Sequence, residues 1–189
     1  MTKQSLSVRD VIIQRRSIKA FNGKKVAEED LLAILEDATW APNHGMRNPW
    51  RFVVAGGERY ENVLPVIREV AIPNWKQLDE ETLEKQMRKF TTVGGVVFVI
   101  VPEDVRQKER LEDYGAASAL IQNAQLLAWD QGIGSCWKTP PFLDNPTFRE
   151  RLGVQPGERI MSMLQFGYYD VEPKVKERKP FDELVTLFE

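Results

Sequence analysis

The chain has 189 residues, 42% of them hydrophobic and 29% charged, the balance of one soluble globular domain. Its 26 Lys and Arg against 28 Asp and Glu leave a formal net charge of −2, without the basic excess of a general nucleic-acid binder. The lone cysteine, Cys136, excludes an internal disulfide; Met1 to Arg16 carries no hydrophobic leader, and the longest apolar run, Val96 to Val101, is too short to span a bilayer, so a soluble cytoplasmic protein without a membrane partner is expected.

A first helix is predicted from about Ser7, where Ser7 and Asp10 form a capping box with Asp in place of Glu. Val8, Val11 and Ile12 recur at helical spacing and are expected to face the core, with the helix fraying near Arg15 and Arg16. A second helix is predicted over Glu28 to Trp40: Glu28, Glu29 and Asp30 suit its positive end, and Leu31, Leu35 and Ala38 form its buried stripe. Pro42 and Gly45 then force a loop before a strand over Trp50 to Ala55, closed by Gly56-Gly57. Helical stretches at Arg59 to Val70 and Glu80 to Lys89 follow, separated by Pro73; the second is either a cover for a site or a solvated helix. Val96 to Val101 is uniformly apolar, as a strand buried on both faces must be. The longest helix is predicted over Leu111 to Asp130 with Gly132 as its stop, and a last strand over Met161 to Phe166 ending at Gly167. The basic stretch Lys174 to Lys179 leads into an amphipathic tail, Phe181 to Phe188. Helices alternating with few strands give an α+β (α/β layered) fold rather than a barrel.

Several chemistries are excluded by missing parts. There is no phosphate loop of the G-x-x-x-x-G-K-[ST] type, and Gly132 and Gly134 lack the third glycine of a dinucleotide fingerprint. One His and one Cys cannot make a Cys/His metal site, and no G-x-S-x-G elbow exists to pair with His44. What remains is two distant basic segments, Arg15-Arg16-Ser17-Ile18-Lys19 and Lys174, Lys176, Arg178, Lys179, and the loop from Ala41 to Trp50. Arginine forks and a serine hydroxyl suit a phosphate monoester, although either segment alone reads more readily as a solvated charged face. Loops on a rigid scaffold often carry binding groups, and this one packs two prolines, a glycine and several polar residues against a buried strand. Cys136 reads as a packed thiol rather than a redox centre, and Trp40, Trp50, Trp75 and Trp129 as core or interface residues, with Trp75 also a candidate for the substrate mouth.

Together these segments resemble the nitroreductase family of FMN-dependent NAD(P)H oxidoreductases. Arg15-Arg16-Ser17-Ile18-Lys19-Ala20-Phe21 is similar to its R-R-S-x-R/K-x-F opening, and Ala41-Pro42 through Pro49-Trp50-Arg51-Phe52-Val53-Val54 to its A-P-S-x-x-N-x-Q-P-W-x-F-V-V motif. Gly132-Ile133-Gly134-Ser135-Cys136-Trp137 resembles its Gly-Ser-Cys-Trp stretch, and Lys176-Glu177-Arg178-Lys179-Pro180 its late K-x-R-R-P signature. Four motifs in order span nearly the whole chain, and the short length, His44 in the second motif and the Trp137-Lys138-Thr139 segment resemble the compact subgroup of small bacterial members. Asn43-His44 replaces Ser-Ser, Met46 the usual Asn, and Asn48 the usual Gln.

The resemblance implies a central mixed sheet flanked by helices, in an intertwined homodimer with FMN at the interface and a tail (about 170–189) that embraces the partner. It places Arg15, Arg16, Ser17 and Lys19 on FMN, with Lys176 and Arg178 closing on the phosphate. Pro42, Asn43, His44 and Met46 would reach the flavin of the partner subunit, and Trp137, Lys138 and Thr139 would lie along the ring. Pro140 and Pro141 have no N–H, so Lys138 or Thr139, with Thr139 preferred, would supply a main-chain donor to flavin N5. Lys19 would place positive charge near N1 and O2. The implied reaction moves a hydride from NADH or NADPH through FMN to a small acceptor such as a nitroaromatic or quinone, in ping-pong fashion and with no obligatory acid or base residue. The alternatives are specialised flavin chemistry in the same fold, such as dehalogenation or flavin breakdown, and a flavin-binding module with little turnover.

Overall fold

The computed structural model describes residues 6–188. Six α-helices and four strands occur in the order α1 (Val8–Gln14), α2 (Glu28–Ala38), β1 (Arg51–Ala55), α3 (Tyr60–Ala71), α4 (Glu80–Thr91), β2 (Gly95–Pro102), α5 (Gln107–Asp130), β3 (Gly134–Lys138), α6 (Pro146–Arg151) and β4 (Glu158–Gly167), with short 3-10 turns between. The sheet order is β1-β2-β4-β3, and every neighbouring pair is antiparallel. The parallel component expected of a mixed sheet is confined to one bridge, Ser17 to Ser135, on the edge of β3.

Burial explains the apolar run of β2. Val96, Phe98 and Ile100 enter one core with Ile67 of α3, Met87 and Phe90 of α4, and Phe148 of α6. Val97, Val99 and Val101 enter the other with Leu31, Leu35 and Ala38 of α2 and Leu120, Ile121 and Ala124 of α5. Helices thus cover both faces of the sheet, and a central strand has no solvated side to alternate toward.

The helix ends follow local chemistry. Ser7 caps α1 by accepting from the Asp10 N–H at 3.2 Å. Gly132, at φ 77°, ends α5 in a Schellman turn: Ile133 N–H donates to the Ala128 carbonyl at 2.8 Å and Gly132 N–H to that of Trp129 at 2.9 Å. Helix α2 stops at Ala38, two residues short of the predicted end, and leaves Trp40 88% exposed. The five-residue β3 and the short α6 were not predicted; Gly-Ser-Cys-Trp-Lys has neither the β-branched content nor the length that marks a strand.

The expectation for α1 needs correction. Val11 is buried, but Val8 and Ile12 are 75% and 53% exposed, as is Ile13 at 54%. Among the described residues no second layer covers that side of the helix. Among the described residues no helix is long and apolar enough to cross a membrane.

Candidate functional site

The site is built where the end of α1 meets the edge of β3. After Gln14 the chain leaves the helix and runs beside β3, with Ile18 N–H donating to the Ser135 carbonyl at 2.9 Å. The approach is close because residue 134 is glycine: a Cβ there would lie 2.7 Å from Ile18 Cγ1. Gln125 of α5 donates to the Ser135 hydroxyl at 3.4 Å, which ties the same strand to the long helix. This anchorage fixes Arg15, Arg16, Ser17 and Lys19 around the buried Ile18.

Positive charge is concentrated there, and among the described residues Arg15, Arg16 and Lys19 form no ion pair. Arg16 spends one terminal nitrogen on the Ile13 and Arg15 carbonyls, at 2.7 and 2.9 Å, closing the end of α1. Arg16 Nε and Arg15 Nε and Nη1 are buried without a hydrogen-bond partner. Burial, followed by the charges of Arg178 and Arg16, depresses the Arg15 guanidinium below its ordinary value. The charge of Arg178, in the C-terminal segment, is thus felt at Arg15 at the end of α1. Arg178 joins the cluster; Lys176 is exposed and makes no hydrogen bond or ion pair among the described residues. Burial pushes the Cys136 thiol up, opposed by the charges of Lys138, Lys19 and Arg15.

A cavity of about 340 Å³ opens next to this cluster, lined by Lys19, Lys138, Thr139, Pro140 and Met163, together with Lys89, Phe90 and Gln165. Trp137, 37% exposed, is the β3 residue before Lys138. Helix α4 thus does reach the site, through Lys89 and Phe90 at its C-terminal end. Lys89, Met163 and Gln165 were not singled out from sequence. Lys89 looked like an ordinary helix-end cation. Gln165 did leave a signal: a carboxamide inside the apolar run of β4 needs a reason to be buried.

The loop of Pro42, Asn43, His44 and Met46 is elsewhere. Three of its residues have left-handed backbone, Gly45 (φ 62°), Met46 (φ 51°) and Asn48 (φ 48°). Asn43 holds the turn by accepting from Asn48 N–H at 2.9 Å. Arg47 locks it to the fold, donating to Asp113 of α5 at 2.7 Å and to Asp104 at 3.0 Å. Arg106, with help from Arg47, keeps the Asp104 carboxyl well below the usual carboxylate range. Asp113 and Gln125 lie on one helix, twelve residues and roughly 18 Å of rise apart. Within one protomer the loop and the cation cluster are therefore separate. Pro42, His44 and Met46 are exposed.

The sequence matches the Nitroreductase family over residues 12–168. The chain belongs to the nitroreductase family. The match includes the Arg15 to Lys19 segment, the loop and all four strands of this nitroreductase-family chain, and ends before the exposed segment that carries Lys176 and Arg178. A Bacillus subtilis protein, "Putative NAD(P)H nitroreductase YfhC", is 36% identical over 95% of this chain and 93% of its own. A crystal structure of a nitroreductase-like family protein from Bacillus cereus superposes with a TM-score of 0.83 at 34% identity, covering 100% of both chains. The iodotyrosine deiodinase of Hydra vulgaris is 26% identical over 93% of this chain and 70% of its own. The FMN- and NADPH-dependent nitroreductase NfnB of Sphigopyxis sp. strain HMH shares the fold, with a TM-score of 0.79 at 19% identity over 97% of this chain and 100% of that one. Among the described residues of this family member, no group of three His, Cys, Asp or Glu side chains is placed to hold a metal ion.

Proposed function

We propose that this chain is an FMN-dependent NAD(P)H oxidoreductase that works as a homodimer and reduces a small acceptor such as a nitroaromatic or quinone. The observation that carries the reading is the set of buried, unpartnered guanidinium N–H groups on Arg15 and Arg16 beside Arg178. Donors buried without acceptors are costly, and a phosphate monoester brings several charged acceptor oxygens to such a cluster. Names of the relatives, which include NAD(P)H nitroreductases and an FMN- and NADPH-dependent enzyme, agree with this chemistry.

FMN, when bound, supplies the two-electron chemistry that takes a hydride from NAD(P)H and delivers it to the acceptor. The chain's own residues bind and orient. Arg15, Arg16, Ser17 and Arg178 hold the phosphate and ribityl end, with Lys176 swinging in from the exposed tail. Lys19 and Lys138 bring positive charge to the ring, Trp137 lies along it, and Thr139, the first residue beyond the β3 ladder, offers a main-chain N–H to N5. Pro42, Asn43, His44 and Met46 act on the flavin of the partner subunit. The anchors on α5, Asp113 for the loop and Gln125 for the cluster, are roughly 18 Å of helix rise apart within a protomer, which supports that assignment.

A dimer is further supported by unpartnered apolar surface. Val8, Ile12 and Ile13 on α1 are exposed, as are Val175, Phe181, Leu187 and Phe188 in the tail, which embraces the partner. Residues 1–189 then act as one FMN-binding domain that is complete only with its second copy. Donor and acceptor use one cavity in turn, so the kinetics are ping-pong.

The test is direct. The purified protein is expected to be yellow, and NADH or NADPH is expected to bleach it anaerobically, with colour restored by an acceptor from a panel of nitroaromatics and quinones. Protein that binds no flavin refutes the reading; flavin that no nicotinamide reduces leaves a binding module. Similarity to an iodotyrosine deiodinase favours one second reading, reductive dehalogenation at the same flavin, so halogenated phenols belong in the panel.

A further inference from the structure

One polar side chain in the cavity has no work in the fold. Gln165 stands near the C-terminal end of β4, with Val96 of β2 and Cys136 of β3 as its Cα partners on either side. It is only 5% exposed, lines the cavity, and its carboxamide makes no hydrogen bond among the described residues. Its amide end is open to the cavity rather than bonded within the fold, which a structural role would not explain, since leucine of similar size would fill the same space. Its neighbours in the cavity wall are one-sided. Lys19, Lys89 and Lys138 can only donate, while the side chains of Phe90, Pro140 and Met163 present no strong acceptor. Side-chain acceptors are limited to the exposed hydroxyl of Thr139 and the buried carbonyl of Gln165.

A flavin ring ends in an imide, two carbonyls with an N–H between them. Lysines satisfy the carbonyls; none of them can receive the N–H. We infer that Gln165 is the flavin-recognition residue for this edge, its Oε1 accepting the imide N3–H and its amide nitrogen donating to a flanking carbonyl. The inference rests on the FMN reading above. Gln165 would then select an isoalloxazine over a ring of similar size without an imide, and would add a donor to the lysine charges that hold electron density on the pyrimidine carbonyls.

The test is equilibrium binding to apo-protein, read by quenching of flavin fluorescence, with FMN and 3-methyl-FMN as probes. The wild type should prefer FMN by about tenfold or more, the loss expected when a buried acceptor faces a methyl group. Gln165→Leu should bind FMN about tenfold more weakly and lose the preference, whereas Gln165→Glu, which keeps an acceptor, should retain it. Thermal melts of the apo-proteins establish that both variants fold; if Leu does not, the Gln165→Met variant takes its place. FMN bound tightly by the wild type, with no preference over 3-methyl-FMN or with the same preference in the Leu variant, overturns the role of Gln165 alone. Absence of FMN binding by the wild type overturns the flavin reading with it.

Discussion

Gly134→Ala tests how the site is assembled. A Cβ at residue 134 would sit 2.7 Å from Ile18 Cγ1 and 2.7 Å from Tyr169 Cδ1, closer than real Cβ contacts allow, and 3.0 Å from Ile18 Cβ, tighter than most. Neither neighbour can step aside easily. Ile18 is β-branched, 1% exposed and held to Ser135 by its own N–H at 2.9 Å, and Tyr169 is stacked on Trp129 with centroids 5.9 Å apart. Strain is therefore relieved by lifting the 15–19 strip from β3. Overpacking of this kind costs about 1–3 kcal/mol, and for a chain of this length each kcal/mol lowers Tm by about 2–4 °C. A fall in Tm of about 2–12 °C is expected by circular dichroism. FMN affinity should fall about tenfold or more, because Arg15, Arg16, Ser17 and Lys19 move with Ile18 and a charge-assisted hydrogen bond is worth about 1.5–3 kcal/mol. Gly115→Ala is the control. It is interior to α5, has no heavy atom within 4 Å of a built Cβ, and should stabilise by roughly 0.5–1 kcal/mol. A Gly134→Ala protein with wild-type Tm and wild-type FMN affinity would refute the view that this close approach positions the cation cluster.

Removing Arg15 should separate stability from binding: Arg15→Met relieves an unpartnered buried guanidinium beside Arg16 and Arg178, so the apo-protein melts no lower than wild type while FMN affinity drops about 10- to 100-fold. Differential scanning fluorimetry with and without FMN reads both, and a destabilised apo-protein that still binds FMN contradicts it. Lys19→Met should lower either the flavin reduction potential or flavin occupancy, measured by spectroelectrochemistry and by absorbance ratio; two unchanged values count against a role for that charge. The Arg51 guanidinium, donating to Glu158 at 2.7 Å, holds the Glu158 carboxyl below its ordinary value. The stability this contributes is present at neutral pH and is lost as pH falls through the depressed folded value, on the acid side of the ordinary carboxylate range. Arg51→Met should therefore flatten the acid side of a Tm–pH curve, and an unaltered acid limb speaks against the linkage.

The strongest elements were legible because one physical cause fixed each of them. Val96 to Val101 reads as a doubly buried strand since no alternation survives when helices cover both faces, and Gly132 ends α5 because only glycine enters the left-handed Schellman position readily. The basic segment at Arg15 to Lys19 and the loop from Ala41 to Trp50 were visible as residue types without a structural task. Val8 and Ile12 misled: helical spacing of apolar residues says that a face will be covered, but not whether the cover is the chain's own core or another molecule. Strand β3 escaped because its cause is tertiary. Its register comes from β4 and from the Ser17 bridge, and Gly134, poor for a strand by itself, is required by the approach of Ile18. Lys89 and Gln165 belong to elements read as solvated helix and apolar strand, and only the cavity between those elements gives their side chains a common target.

The energetic logic of the site runs opposite to that of the core. Packing of Ile18 against Gly134, the main-chain bond to Ser135 and the tie from Gln125 hold the end of α1 in place. What they hold there is unfavourable in isolation: guanidinium groups near one another, partly desolvated and short of acceptors. The core thus offsets a local cost that has no return until an anion arrives, the usual relation between stability and a preorganised binding site. The loop at the far end of α5 repeats the pattern. Met46 and Asn48 are kept in left-handed backbone by Asn43 and by the Arg47–Asp113 pair, strain with no benefit to its own protomer. Two strained or uncompensated segments, whose anchors on α5 lie roughly 18 Å of helix rise apart, gain a common use in the proposed homodimer, where each would supply what the other subunit's site lacks.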